Sequence, residues 1–125
     1  HCSIVAIEEV PMNQTKKYGI IAGDLIDNSS NAYQVTEMIE KPEENNAPSN
    51  MAIIGRYILT PDIFNILKNI KPDKSGEIQI TDALLVQAKQ GKVIAYKFKG
   101  RRFDCGSIKG FLEATNHFAK QQGVI

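Results

Sequence analysis

Apolar and polar positions alternate with short periods along most of this chain, and the pattern divides it into brief extended segments and three amphipathic ones. Cys2 to Val10 is rich in β-branched and apolar residues and stops at Pro11, which reads as a strand. Pro11 to Lys17 is polar and predicts a helical turn or loop. Tyr18 to Ile21 reads as a short strand, and Tyr33 to Ile39 as another that pairs with it antiparallel. Between them, Gly23-Asp24 and Asp27 to Asn31 are turn chemistry flanking Leu25-Ile26. Pro42 to Asn50 predicts a polar, mobile loop, and Met51 to Leu59 a strand interrupted at Gly55-Arg56.

Helical spacing appears three times. Thr60-Pro61-Asp62 predicts a helix start, with threonine as N-cap and proline at the first position, followed by Ile63, Phe64, Ile66, Leu67 and Ile70. Ser75-Gly76-Glu77 opens a second helix whose stripe is Ile80, Ala83, Leu84 and Ala88, with Gly91 as its stop. Val93 to Phe98 and Arg101 to Cys105 read as extended. Gly106-Ser107 then leads into a last helix, with Ile108, Phe111, Leu112, Thr115 and Phe118 on one face and Gly123 at its end. The order β-β-β-β-α-α-β-β-α predicts an α/β chain with a mixed sheet flanked by about three helices.

Composition narrows the function classes. The 125 residues fit one domain, and a net charge of +1 directs the chain to neither nucleic acid nor an anionic membrane. No apolar run approaches the roughly 20 residues that span a bilayer. Cys2 and Cys105 fit no metal-ligand spacing and read as free thiols of a cytoplasmic protein. Residues 2 to 7 enter a buried strand with no lead-in, as a piece of a longer polypeptide would.

Five runs carry candidate chemistry. Tyr18-Gly19 opens the backbone to a ligand, and a bulge or turn explains it as well. Glu40-Lys41-Pro42 sets a carboxylate and an ammonium where a strand leaves the sheet; it suits a sugar phosphate, and equally an exposed ion pair. The small residues of Ser49 to Ile53, Ala52 among them, permit close approach to a strand, or simply a core. Gly76 to Asp82 combines glycine, acids and threonine at a helix start, which is also capping chemistry. Asp104 lies between Arg101-Arg102 and a glycine-led helix; it is a Mg²⁺ ligand or a cap. No phosphate loop, nucleophile elbow or zinc motif is present, and His1 and His117 have no ligand-type neighbours.

Taken in order, Val-Ala-Ile-Glu-Glu-Val-Pro, Tyr-Gly-Ile-Ile, Met-Ile-Glu-Lys-Pro, Pro-Ser-Asn-Met-Ala-Ile-Ile-Gly-Arg-Tyr, Gly-Glu-Ile-Gln-Ile-Thr-Asp-Ala and Arg-Phe-Asp-Cys-Gly-Ser resemble the C-terminal half of the bacterial UTP–glucose-1-phosphate uridylyltransferases. The resemblance implies part of a Rossmann-like nucleotidylyltransferase fold, with residues 1-125 as a single partial domain. It also implies the reaction of UTP with glucose 1-phosphate to UDP-glucose and pyrophosphate, with Mg²⁺. By that resemblance Tyr18 and Gly19 line the sugar, and Glu40 binds its hydroxyls. Lys41 meets the phosphate, the Ala52-Ile53 backbone borders the pocket, and Asp104 is one of two metal aspartates.

The family's glycine-rich nucleotide loop has no counterpart here. The chain alone is therefore expected to be inactive. It is also expected to leave sheet edges and apolar faces uncovered, and to form homo-oligomers. Two alternatives remain open: a thymidylyl- or guanylyltransferase of the same superfamily, and a noncatalytic sugar-phosphate-binding or oligomerisation module.

Overall fold

The computed structural model describes residues 1–125. Five strands make one mixed sheet: β1 (Ser3–Glu9), β2 (Gly19–Leu25), β3 (Ala32–Glu40), β4 (Met51–Ile58) and β5 (Val93–Lys97). Their spatial order is β1-β4-β2-β3-β5, and β5 pairs back onto β1 in parallel, so the sheet closes into a barrel. The other pairings are antiparallel. Three helices accompany it: α1 (Ile63–Leu67), α2 (Ile80–Lys89) and α3 (Ile108–Gln121). This is an α/β chain with a mixed sheet and few helices.

The core follows from the two periodicities. Val5 and Ile7 of β1, Val35 of β3 and Val93 and Ala95 of β5 face inward at two-residue spacing. Against them α2 lays Ala83, Leu84 and Ala88, and α1 adds Ile63. Leu84 is fully enclosed, so its truncation to alanine costs about 2–5 kcal/mol. Beside this core, Gln87 of α2 is also wholly buried. Ser3 Oγ donates to its Oε1 at 2.8 Å, and its Nε2 donates to Thr60 Oγ1 at 2.9 Å.

That polar knot explains one departure from the sequence reading. Thr60 does not cap α1 with its side chain, because its hydroxyl accepts from Gln87. A buried amide left unpaired costs about 1–3 kcal/mol, comparable to or more than a typical cap. The helix that follows is a single short turn. The second helix begins at Ile80 rather than at Ser75-Gly76-Glu77. Asp73 Oδ1 accepts from the backbone N–H groups of Ser75 and Glu77, and Oδ2 from Gln79 Nε2. These bonds hold 73–79 as a turn.

Three more expectations change. Gly23-Asp24-Leu25 belongs to β2, not to a turn, and a register shift between Ala22 and Gly23 absorbs the irregularity. Arg101 to Cys105 forms no strand, so the second of the two late strands is absent. The sheet edges close up instead of lying open, although β2 meets β4 only at Ile20–Ala52 and Ile21–Met51. Beyond that contact, β4 is paired on one side, with β1. The apolar stripe of α3 does lie uncovered: Ile108 is 83% exposed, and of the helix only Ala114 is buried. No helix is long and apolar enough to cross a membrane.

Candidate functional site

The candidate residues on β2, β3 and β4 are gathered by strand register. Gly19 faces Glu40 across β2 and β3, and Ile20 faces Ala52 across β2 and β4. The ladder continues one residue further, where Lys41 N–H donates to Tyr18 O at 2.9 Å. Lys41 then turns the chain with φ +46°, the left-handed region that a non-glycine residue enters at a cost of about 1–2 kcal/mol. Residues before proline favour extended backbone, so Lys41 departs from both preferences. Strain of this kind collects where a side chain must be aimed.

A side chain at Gly19 would press on the ends of three neighbouring side chains. A β-carbon there would lie 2.9 Å from Thr81 Cγ2, 3.0 Å from Glu40 Oε2 and 3.3 Å from Ile53 Cδ1. Those three contacts also show which groups meet: the Glu40 carboxylate, Ile53 of β4 and Thr81 at the start of α2. Thr81 Oγ1 donates to Glu40 Oε2 at 3.0 Å. Tyr57 is near enough to respond: burial, and then the Glu40 charge, raise its phenol above the ordinary range.

Beside this knot lies a cleft of about 540 Å³, lined by Met38, Ile39, Glu40, Lys41, Asp73, Lys74, Ser75, Glu77, Gln79 and Asp82. Its four carboxylates outnumber its two ammoniums, which suits hydroxyl groups better than a bare phosphate. Hydrogen bonds from Ser75 and then Gln79 hold the Asp73 carboxyl well below the usual range. A second groove of about 520 Å³ has the opposite sign, lined by Arg56, Arg101, Arg102, Phe98, Phe103, Ala6 and Ile54.

Tyr18 stands between the two. Its carbonyl holds Lys41, and its hydroxyl accepts from Arg102 Nη2 at 2.8 Å. Arg102 Nε donates to Glu8 Oε1 at 2.8 Å. Burial opposes the Arg102 charge, yet its Glu8 and Tyr18 partners outweigh it and raise its pKa. Asp104 follows two residues later and is exposed, with Oδ1 accepting from Gly106 N–H at 3.0 Å. It lines neither cleft. No group of three His, Cys, Asp or Glu side chains is placed to hold a metal ion. Mg²⁺ takes one or two carboxylates and completes its shell with phosphate oxygens and water, so Asp104 could supply no more than one ligand residue of such a shell.

Residues 1–121 match the family model described as nucleotidyl transferase. The chain belongs to the nucleotidyl transferase family. Within this nucleotidyl transferase family it is similar to a UTP–glucose-1-phosphate uridylyltransferase of Pseudomonas aeruginosa, at 62% identity over 115 residues. That alignment covers 92% of this chain and 40% of the relative. A crystal structure of UDP-glucose pyrophosphorylase complexed with UDP-glucose superposes with a TM-score of 0.88 at 56% identity, over 96% of this chain and 45% of the other. A UTP-bound UGPase from Acinetobacter baumannii gives 0.77 at 33% identity, over 96% and 40%. The chain thus spans about 40% of the length of the curated relative it matches.

Several contacts of this site go beyond the sequence reading. Thr81 sat inside a candidate run, but only tertiary packing brings it to Glu40. Asp73 had a readable signal, an aspartate two residues before a serine in a Pro-Gly-rich stretch, which is turn chemistry. Tyr57 was hidden by the irregularity at Gly55, which shifts the alternation of β4. Glu8 and Arg102 are 94 positions apart, and nothing in sequence announces their bond.

Proposed function

We propose that this chain forms the sugar-phosphate side of a UTP–glucose-1-phosphate uridylyltransferase of Rossmann-like nucleotidylyltransferase fold, working in the cytoplasm. The observation that carries this reading is the knot of Gly19, Glu40, Ile53 and Thr81, in a chain 62% identical to an enzyme of that name. Glu40 lines the cleft with one carboxylate oxygen fixed by Thr81, which leaves its other oxygen to accept from hydroxyls. Glu40 accepts from sugar hydroxyls, Tyr18, Gly19, Ala52 and Ile53 border the ring, and Lys41, on the same cleft as Glu40, is the cation that meets the phosphate.

In the reaction, a phosphate oxygen of glucose 1-phosphate attacks the α-phosphorus of UTP. A new P–O bond forms, the bridge to the β-phosphorus breaks, and pyrophosphate leaves with its electron pair. The nucleophile is already ionised near neutral pH, so no general base is needed. What remains for protein is placement and charge. Lys41, held at a strained turn, positions the attacking phosphate. Asp104 would supply one carboxylate to Mg²⁺, whose charge offsets that developing on the transferred group. The chain carries no nucleotide loop, so it is inactive by itself, and UDP-glucose formation by the purified chain would refute this. Ile108, Phe111, Leu112 and Phe118, all uncovered, support self-association, which sedimentation at high concentration decides.

Titration of the isotope-labelled chain with glucose 1-phosphate tests the sugar site. Weak binding is expected, because half of the pocket wall is missing. Amide shifts are expected at Gly19, Glu40, Lys41 and Ile53, with smaller ones from glucose or inorganic phosphate. Shifts absent from these positions at tens of millimolar sugar phosphate would end the reading.

A further inference from the structure

The segment that carries Asp104 is attached to the molecule in an unusual way. Residues 98–106 make no backbone–backbone hydrogen bond. The helix that follows hardly touches the other elements of the fold. Phe103 ties the segment to that helix, with its ring 5.2 Å from His117 and 6.0 Å from Phe118. The Asp104 carbonyl does the same by lying against Gly110. Segment and α3 therefore form one unit, joined to β5 through Gly100, whose φ is +145°.

That unit has one polar tether. Of residues 98–125, Arg102 alone hydrogen-bonds to residues 1–97, through Glu8 and Tyr18. Its guanidinium also stacks 5.3 Å from the centre of the Tyr18 ring. We propose that Arg102 is a positioning residue that fixes Asp104 against the sugar side of the site. The path is short. Asp104 is two residues from Arg102, Arg102 holds the Tyr18 hydroxyl, and the Tyr18 carbonyl holds Lys41. A planar fork that donates to a carboxylate and a phenol at once sets direction as well as distance; an ammonium at the same place sets neither. The role of Asp104 in this proposal rests on the uridylyltransferase reading, whereas the tether itself does not.

Backbone relaxation of the isotope-labelled 125-residue chain decides it. In Arg102→Lys and Arg102→Ala, amides of 101–106 and α3 are expected to lose order relative to the sheet, while Ile20, Ile53 and Ala95 keep theirs. Tyr18→Phe removes a single hydroxyl, keeps the fold and is expected to give part of the same local loss. A purely structural arginine would lower the melting temperature and leave relative order unchanged. Order at 101–106 equal to the parent chain in all three variants overturns the proposal.

Mn²⁺ added with glucose 1-phosphate supplies a second readout. Broadening at Cys105 and Gly106 is expected to require about tenfold more Mn²⁺ in Arg102→Lys than in the parent, as for other residues that orient a metal ligand. Equal requirement in the two, with the segment loosened, overturns the functional half of the proposal. No broadening there in the parent chain itself counts against the uridylyltransferase reading, and the relaxation result then judges the tether alone.

Discussion

The Glu40–Lys41 corner and the Asp104 segment, the two parts of the proposed site, are held by opposite means. At the corner, backbone does the work: Gly19 faces Glu40 in register, and Lys41 N–H closes the ladder on Tyr18 O. Position there follows from strand pairing, and a side chain can be changed without moving its neighbours. Around Asp104 no ladder exists, and Arg102, Phe103 and the Gly110 contact carry the segment. Position there follows from a few side chains and can be lost one residue at a time. Under the proposed reading, the ladder keeps the sugar side rigid while the tethered Asp104 segment adjusts.

The sharpest way to break this contrast is a pair of glycines. A β-carbon on Gly23 would lie 2.2 Å from the Gln34 carbonyl oxygen, inside the β2–β3 ladder. Gly23→Ala is expected to cost about 3 kcal/mol in a urea melt, because two paired strands must separate. A β-carbon on Gly110 would lie even closer, 1.8 Å from the Asp104 carbonyl oxygen. Gly110→Ala is nevertheless expected to cost only about 1 kcal/mol, since the segment it pushes can move, and to shift the amides of Asp104 to Gly106. Equal costs for the two would abolish the distinction.

A third substitution sharpens the corner itself. Lys41→Gly relieves the left-handed strain, worth about 1–2 kcal/mol, against a glycine penalty of about 0.5–1 kcal/mol. The melt should show a chain slightly more stable than the parent, while its response to glucose 1-phosphate disappears. A more stable chain that still responds would mean that the ammonium has no part in binding.

The smallest effect concerns Tyr57. Its folded pKa is raised, by burial first and by Glu40 second. A raised folded value means a contribution to stability that is complete below the unfolded value near 10 and is lost as pH rises through the folded one. Ultraviolet titration, with Tyr57→Phe subtracted, should therefore show ionisation later than in a free tyrosine. Glu40→Gln should bring it part of the way back. An unchanged midpoint in Glu40→Gln would separate Tyr57 from the carboxylate.

The strands were legible because alternation along Cys2 to Val10, Tyr33 to Ile39 and Val93 to Phe98 reports which side of a sheet is buried, and burial is what strands are selected for. The helix starts were less so. Thr60 and Ser75 have the chemistry of caps, but Gln87 claimed the first, and Asp73 gathered the stretch around the second into a turn. Gly23 looked like a turn residue and instead serves a close approach between strands, a demand that only the partner strand creates. The candidate residues were found as separate runs, and the sequence offered no measure of which runs meet.

Period, turn chemistry and ordered motifs determined that this is an α/β chain with a mixed sheet and that it resembles one family of nucleotidyl transferases. Those are properties of neighbours along the chain, where spacing is fixed by covalent geometry. Closure of the sheet, the meeting of Thr81 with Glu40 and the bond from Arg102 to Glu8 and Tyr18 were decided only by the folded molecule. They join residues 41 to 94 positions apart, and such contacts are set by how layers pack rather than by any local preference.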